Sequence, residues 1–312
     1  MKININKLIN IVIISLIIVL FGYFLTIKIQ QTHSTQITSG KPQVVTSFYP
    51  LYFFTSQIAA DKADVYNVTP NGVEPHDYEP SAHDIAKIED SNMLILNGGK
   101  LEAWGEKMRE NLNGKKTLIL TIGTEIANQE MVEDGENIQD PHIWLDPVLA
   151  KKEVAMITAG LIQIDPANSA FYQANAQTLL MKLDNLDNQF RQGLNSCNKK
   201  DIITSHAAFG YLASEYHFNQ MAISGLSPDA EPSVQKLAEV AEFAKTNQVE
   251  YIFFESLVSP KLSQTIASEI GAQTLVLNPI EGLSDEEIIN GKSYFSEMEN
   301  NLKNLKIALQ CK

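Results

Sequence analysis

From residue 43 onward, short apolar runs rich in β-branched and aromatic residues alternate with amphipathic stretches. The runs predict strands over 43–47, 64–68, 93–96 and 117–120, then 201–204, 221–224, 251–254 and 274–277. The intervening stretches predict helices over 51–60, 81–90 and 101–112 in the first half, and over 209–216, 233–247, 260–270 and 291–309 in the second. Strands that alternate with helices argue for parallel sheet covered on both faces. Residues 128–140 read as an acidic loop without histidine. Between the two halves the pattern is helical only, with one helix over 148–164 stopped near Asp165-Pro166 and another over 168–194. In the second, Leu179, Leu183, Leu186, Phe190 and Leu194 recur at spacings of 4, 3, 4 and 4, which aligns them on one face. At about 1.5 Å per residue it is a rod of roughly 40 Å, long enough to reach across two domains. The expected fold is therefore α/β: two α/β lobes with parallel sheets, residues 43–165 and 196–312, joined by a single long linking helix within 166–195. No close internal sequence repeat is visible.

The N-terminus is patterned differently. Lys2 and Lys7 precede an apolar run from Leu8 to Ile27, broken by Asn10 and Ser15. About 20 apolar residues suffice to span a bilayer as a helix, and the flanking lysines favour a cytoplasmic N-terminus. Residues 1–30 are expected to be an uncleaved signal anchor, with a signal peptide as the alternative, and the polar stretch 31–42 a tether in which His33 is solvated. The body of the protein is then extracytoplasmic. Both cysteines, Cys197 and Cys311, lie in that body, where disulfides persist. A bridge between them would clip the C-terminus to its own lobe; two unpaired thiols are the other reading.

The charge narrows the partners. The chain of 312 residues has 24 Lys+Arg against 37 Asp+Glu, a net charge of −13, and residues 1–40 contribute only lysines. So acidic a body repels nucleic acid and anionic lipid.

The chemistry lies in three of the six histidines. His76 stands in Gly-Val-Glu-Pro-His-Asp-Tyr-Glu-Pro, His142 in Asp-Pro-His-Ile-Trp-Leu-Asp-Pro, and His206 in Thr-Ser-His-Ala-Ala-Phe. Three imidazoles and one oxygen make a tetrahedral zinc site. His76, His206 and Glu281 each follow a predicted strand, and ligands of open α/β sheets bind beyond the carboxyl ends of strands. Two ligands from each lobe would converge on the interlobe cleft. Pro75 restricts the His76 loop, Trp144 is placed to exclude water near His142, and Asp146 is placed to orient that imidazole. Glu281, in Asn-Pro-Ile-Glu, is the chosen fourth ligand, and Glu255, in Phe-Phe-Glu, is its competitor. His83 reads as a surface helix residue and His217 as a helix-end residue.

Together these motifs resemble the zinc-binding solute receptors of ABC transporters, the ZnuA/TroA-type family, over about residues 43–309. The resemblance implies two lobes bridged by a rigid helix, one metal in the cleft, and a monomer that delivers Zn2+ to a membrane permease with its ATPase subunit. His76, His142 and His206 match the family's imidazole positions, and the segment containing Glu281 is similar to its fourth-ligand segment. Manganese receptors of the family carry a carboxylate where His206 stands, so the third imidazole favours zinc over manganese. Two departures stand out: residues 128–140 lack the histidines many zinc members carry there, and no lipid-attachment cysteine is present. Other readings are a manganese or broader divalent-metal receptor, a surface adhesin, and a zinc hydrolase using Glu281 or Glu255 as general base. The hydrolase reading lacks any His-Glu-x-x-His motif, and an enzyme is not expected.

Overall fold

In the computed structural model, residues 40–133, 136–228, 230 and 232–312 are described. The expected membrane segment lies outside them, and no described helix is long and apolar enough to cross a membrane. Residues Pro42–Lys312 form a compact unit by themselves.

The first lobe runs β1 (Gln43–Thr46), α1 (Tyr49–Ala59), β2 (Asp64–Asn67), α2 (Ala82–Glu89), β3 (Met93–Leu96), α3 (Gly105–Leu112), β4 (Leu118–Thr121) and α4 (Ile122–Ile126). A two-stranded hairpin follows, β5 (Glu130–Glu133) and β6 (Glu136–Gln139), and then α5 (Pro147–Ile164). The linking helix is α6 (Ser169–Leu194). The second lobe runs β7 (Asp201–Thr204), α7 (Gly210–Tyr216), β8 (Asn219–Ala222), α8 (Val234–Thr246), β9 (Tyr251–Phe254), α9 (Lys261–Ile270), β10 (Gln273–Val276), α10 (Asp285–Ile289) and α11 (Tyr294–Ala308).

The first sheet has the order β2-β1-β3-β4 and the second β10-β9-β7-β8, with every pairing in both parallel. Read from its own first strand, each lobe therefore has the same order, 2-1-3-4. The chain reverses direction across the sheet beside β1 and beside β7, and such switch points open a crevice at the strands' carboxyl ends. His206 follows β7 and Glu255 follows β9, the two strands flanking the second lobe's switch point.

The expected loop over 128–140 is instead the β5–β6 hairpin, paired from Glu130↔Gln139 to Glu133↔Glu136. The signal is masked in the sequence by the acidic residues Glu130, Glu133 and Glu136, while Met131, Val132 and Ile138 are the residues of high strand propensity. The short helices α4 and α10 were also not evident from periodicity, because five residues do not complete two helical turns.

One large core runs through both lobes and the linking helix. Tyr172, Ala176, Leu179, Leu183, Leu186 and Phe190 of α6 are all buried, as the heptad-like spacing implies; Leu194 is only half-buried because the helix ends there. The N-terminal half of α6 packs on the first lobe, where Asn175 Nδ2 donates to Ile58 O at 3.0 Å. The C-terminal half packs on the second, where Phe190 stacks on Tyr216 with centroids 5.0 Å apart. At roughly 1.5–3 kcal/mol per buried large side chain, this stripe holds the rod to both lobes. Smaller cores lie under α2 and α3 and under α8 and α9, on the sheets' outer faces. Cys197 and Cys311 are disulfide-bonded, and Lys199 N and Lys312 N donate to Leu309 O and Ser196 O beside them, so the C-terminus is clipped to the start of the second lobe.

One buried group works against stability. Glu153 of α5 is fully buried, and neither carboxylate oxygen has a hydrogen-bond partner among the described residues. Burial, with the charge of Asp146, pushes its carboxyl well above the ordinary value, so it is neutral in the folded protein. The unfolded chain ionises above the ordinary glutamate pKa and the folded one does not, so the group costs stability as pH rises beyond that value. Replacing Glu153 by Met, of similar length and without polar atoms, is expected to stabilise the fold by about 1–3 kcal/mol at neutral pH, and by less in mild acid. Urea unfolding at the two pH values checks this; destabilisation at neutral pH would contradict it.

Candidate metal centre

His76 sits in the loop between β2 and α2. Pro75 and Pro80 fix φ on either side of it, and Tyr78 OH donates to Asp84 Oδ2 at 2.8 Å. Asp84 is in turn part of the capping box with Ser81 that starts α2. The loop is also held from the second lobe. Gly72 N donates to Leu283 O at 3.0 Å and Asn71 Nδ2 to Asp285 Oδ1 at 2.8 Å.

His142 follows the hairpin and caps a single 3-10 turn, Ile143–Leu145. Asp140 Oδ1 lies 2.8 Å from His142 Nδ1 and accepts from His142 N at 3.0 Å, and Asn97 Nδ2 donates to Pro141 O at 2.9 Å. The Asp140 contact makes Nδ1 the donor and leaves Nε2 free to bind. The expectation that Asp146 orients this imidazole is corrected here. Asp146 caps α5, accepting from Val148 N at 2.8 Å, and a carboxylate committed to a helix N-terminus cannot reach back to the ring. Trp144 is fully buried, with its ring 5.2 Å from that of His142. Its Nε1 donates to Pro279 O at 2.7 Å, which ties the His142 segment to the loop that carries Glu281.

His206 lies just past β7. Its carbonyl accepts from Thr204 Oγ1 at 2.7 Å and from Gln220 Nε2 at 2.9 Å, and its Nδ1 lies 2.5 Å from Glu255 Oε1. Ser205 Oγ also donates to Glu255 Oε1. Glu255 therefore backs the imidazole and faces away from the other candidate ligands.

Glu281 is held by a buried polar network. Asn278 N donates to Asn301 Oδ1 at 2.8 Å, Asn301 Nδ2 to Asn278 O at 2.6 Å, Asn278 Nδ2 to Glu297 Oε2 at 3.2 Å, and Ile280 N to Asn278 Oδ1 at 2.8 Å. These bonds hold Ile280 at φ 59°, a left-handed conformation that a β-branched residue adopts only at a cost of about 1–3 kcal/mol. The turn aims Glu281 inward.

The result is a compact set of four. Glu281 Oε1 lies 3.5 Å from His76 Nε2, 3.3 Å from His142 Nε2 and 3.5 Å from His206 Nε2, and His142 Nε2 lies 3.3 Å from His206 Nε2. The four donor atoms are all within 4.8 Å of one another. A tetrahedron with bonds of about 2.05 Å has edges of about 3.3 Å, so four of its six edges already match zinc coordination. Both oxygens of Glu281, and His76 Nε2, are buried without a hydrogen-bond partner among the described residues. Orphaned buried polar atoms are uncommon in folded proteins and mark a missing partner such as an ion. A divalent cation at the centre would satisfy Glu281 Oε1 and His76 Nε2.

The electrostatics agree. Burial raises the Glu281 carboxyl, but the three imidazoles outweigh it and hold it well below the ordinary range. Burial lowers His142 and His206, but Asp140 and Glu281 raise the first, and Glu255 and Glu281 raise the second above the ordinary imidazole value. Glu74, two residues before His76, was not singled out from sequence. Burial and the charge of Glu281 push it up to about 10, so it stays neutral and adds no second negative charge beside Glu281. Its only sequence signal was its place in Val-Glu-Pro-His. His83 and His217 lie outside the cluster.

The comparisons with known proteins follow the same line. The family model for the zinc-uptake complex component A, periplasmic (ZnuA), matches residues 44–308. The high-affinity zinc uptake system protein ZnuA of Bacillus subtilis (strain 168) is 44% identical over 290 residues, covering 89% of this chain and 91% of that protein. The zinc-binding lipoprotein AdcA of Streptococcus pneumoniae is 42% identical, but this chain spans only 56% of it. The crystal structure of the Zn(II)-bound ZnuA-like domain of that AdcA superposes with a TM-score of 0.75 at 42% identity, over 86% of this chain and 99% of the domain. The laminin-binding protein Lmb of Streptococcus agalactiae, described as a bifunctional protein with adhesin and metal transporting activity, superposes with a TM-score of 0.77 at 32% identity, over 86% of this chain and 100% of Lmb. With a family model matched along nearly the whole body and a relative of similar length at this identity, the chain belongs to the ZnuA family of zinc-uptake components.

Proposed function

We propose that the protein is the extracytoplasmic receptor of a zinc import system: it captures one Zn2+ with His76, His142, His206 and Glu281 and hands it to an ABC permease and its ATPase subunit. The observation that carries this is the buried, unpartnered Glu281 carboxylate ringed by three imidazole nitrogens at the spacing of a tetrahedral edge. Three nitrogens and one oxygen suit zinc better than manganese, which prefers oxygen donors. Four protein donors also leave no position for an activated water, so the site serves capture rather than hydrolysis. Asp140 and Glu255 add negative charge behind two of the rings and raise their basicity. Each lobe supplies two ligands, so release requires only that the lobes part. The apolar run 8–27 fits attachment at the outer face of the cytoplasmic membrane.

Isothermal titration of the full-length protein in detergent with zinc and with manganese tests the reading. One zinc per chain, bound in preference to manganese, is expected. No saturable binding of either ion would overturn it.

A further inference from the structure

The ligand His142 is oriented by Asp140, and Asp140 is itself held by the opposite lobe. Tyr211 of α7, five residues after His206, is 2% exposed. Its hydroxyl accepts from Asn128 N and from Gln129 N, each at 3.1 Å, and donates to Asp140 O at 3.1 Å. One proton and two lone pairs are thus all used. The three main-chain groups form the neck of the β5–β6 hairpin, where Asp140 N also donates to Gln129 O at 3.0 Å. The preceding residue fits the other side of Asp140. A Cβ added to Gly210 would lie 2.9 Å from Asp140 Oδ2, so that the carboxylate would have to shift, and a tight 3.1 Å from Gln129 Oε1. So the hydroxyl of Tyr211 fixes the backbone of Asp140, and the bare α-carbon of Gly210 makes room for its carboxylate.

Resting on the four-ligand reading above, we infer that Gly210 and Tyr211 are positioning residues for His142: through Asp140 they set the direction of its imidazole and so the tightness of zinc binding. The stretch from His206 to Tyr211 then does two things in the second lobe. It supplies one ligand directly and aligns another that arrives from the first lobe, so the first turn of α7 couples the two halves of the site.

The test uses the full-length protein in detergent and zinc itself as the probe. Groups that orient a metal-bound histidine typically contribute about 10–100-fold in affinity. Tyr211→Phe keeps the ring and removes the hydroxyl; about a tenfold loss of zinc affinity is expected. Gly210→Ala keeps the hydroxyl and displaces the carboxylate, and a loss of similar size is expected. If both act through Asp140, neither adds to Asp140→Asn, so each double variant binds zinc within about twofold of Asp140→Asn alone. The visible bands of bound cobalt(II) should change in the same way in Tyr211→Phe as in Asp140→Asn, which a loss of general stability would not produce. Losses that add fully to that of Asp140→Asn, or zinc affinity unchanged in both single variants while His142→Ala loses zinc, would overturn this inference alone. Zinc bound as tightly by His142→Ala as by the unaltered protein would instead overturn the ligand set beneath it.

Discussion

His206→Glu is expected to weaken zinc binding about a hundredfold and to narrow the preference for zinc over manganese by a similar factor. The free energy of a four-ligand zinc site, roughly 10–16 kcal/mol, divides into about 3 kcal/mol per ligand, and each 1.4 kcal/mol is tenfold. The substitution exchanges a nitrogen for an oxygen and leaves two imidazoles facing two carboxylates, a donor set better suited to manganese. Position 206 makes the exchange costly in a second way. His206 Nδ1 now lies 2.5 Å from Glu255 Oε1, and its Nε2 faces Glu281 at 3.5 Å. A glutamate there would set three carboxylates close together in a buried pocket, where like charges cannot all ionise. The metal-free variant should therefore unfold more easily, and adding Glu255→Gln should restore part of the loss. Competitive titration with the two ions is the measurement, and a zinc preference equal to that of the unaltered protein would remove His206 from the ligand set.

The features that were legible in the sequence are those that depend on local pattern. Strands such as 93–96 and 201–204 are short apolar runs between polar turns, and the stripe from Leu179 to Phe190 is a simple period, so both stand where the residues placed them. That His76, His206 and Glu281 would approach one another could be anticipated because each follows a strand and the carboxyl ends of parallel strands share one edge of a sheet, whereas His142, which follows the hairpin, was legible only from its motif. What could not be read is what depends on contacts between distant segments. Glu255 and Glu281 both follow strands, and only the fold shows that Glu255 meets the Nδ1 side of His206 while Glu281 meets the Nε2 side. Asp140 stands two residues before His142 and Asp146 four after it, and only the fold shows that Asp146 is taken up by the helix it caps while Asp140 meets the ring. The shared strand order of the lobes is likewise almost silent in the sequence. Its trace is Thr46-Ser47-Phe48 at the end of β1 against Thr204-Ser205-His206 at the end of β7. In both, the serine donates to a buried glutamate, Glu102 in one lobe and Glu255 in the other. In the first lobe the third residue is Phe48, packed on Trp144 with centroids 4.7 Å apart, so only the second lobe uses this position for an imidazole.

Zinc is expected to raise the melting temperature substantially, and by more in mild alkali than in mild acid. An ion that binds only the folded chain stabilises it by about 4 kcal/mol when present at about a thousand times its dissociation constant. For a chain of this size that corresponds to a rise of about 8 °C. The pH dependence comes from the imidazoles. His142 and His206 have folded-state pKa values above the ordinary one because burial is outweighed by Asp140, Glu255 and Glu281. A raised imidazole pKa stabilises the metal-free fold fully below the unfolded-state value, and that contribution is lost as pH rises through the folded-state value. Zinc binding runs the other way. The ion needs Nε2 unprotonated, so protons compete with it across the same window, and its affinity climbs as pH rises. Glu281, held well below the ordinary carboxyl range, remains ionised throughout and does not offset the trend. Raising pH thus weakens the metal-free protein and strengthens the complex, and the gap between their melting temperatures widens from both sides. Thermal unfolding with and without zinc across this pH range, together with the protons released on titration in buffers of different ionisation enthalpy, measures the effect. A zinc-induced gain that stays constant across the range, with no proton released, would mean that these imidazoles do not hold the ion.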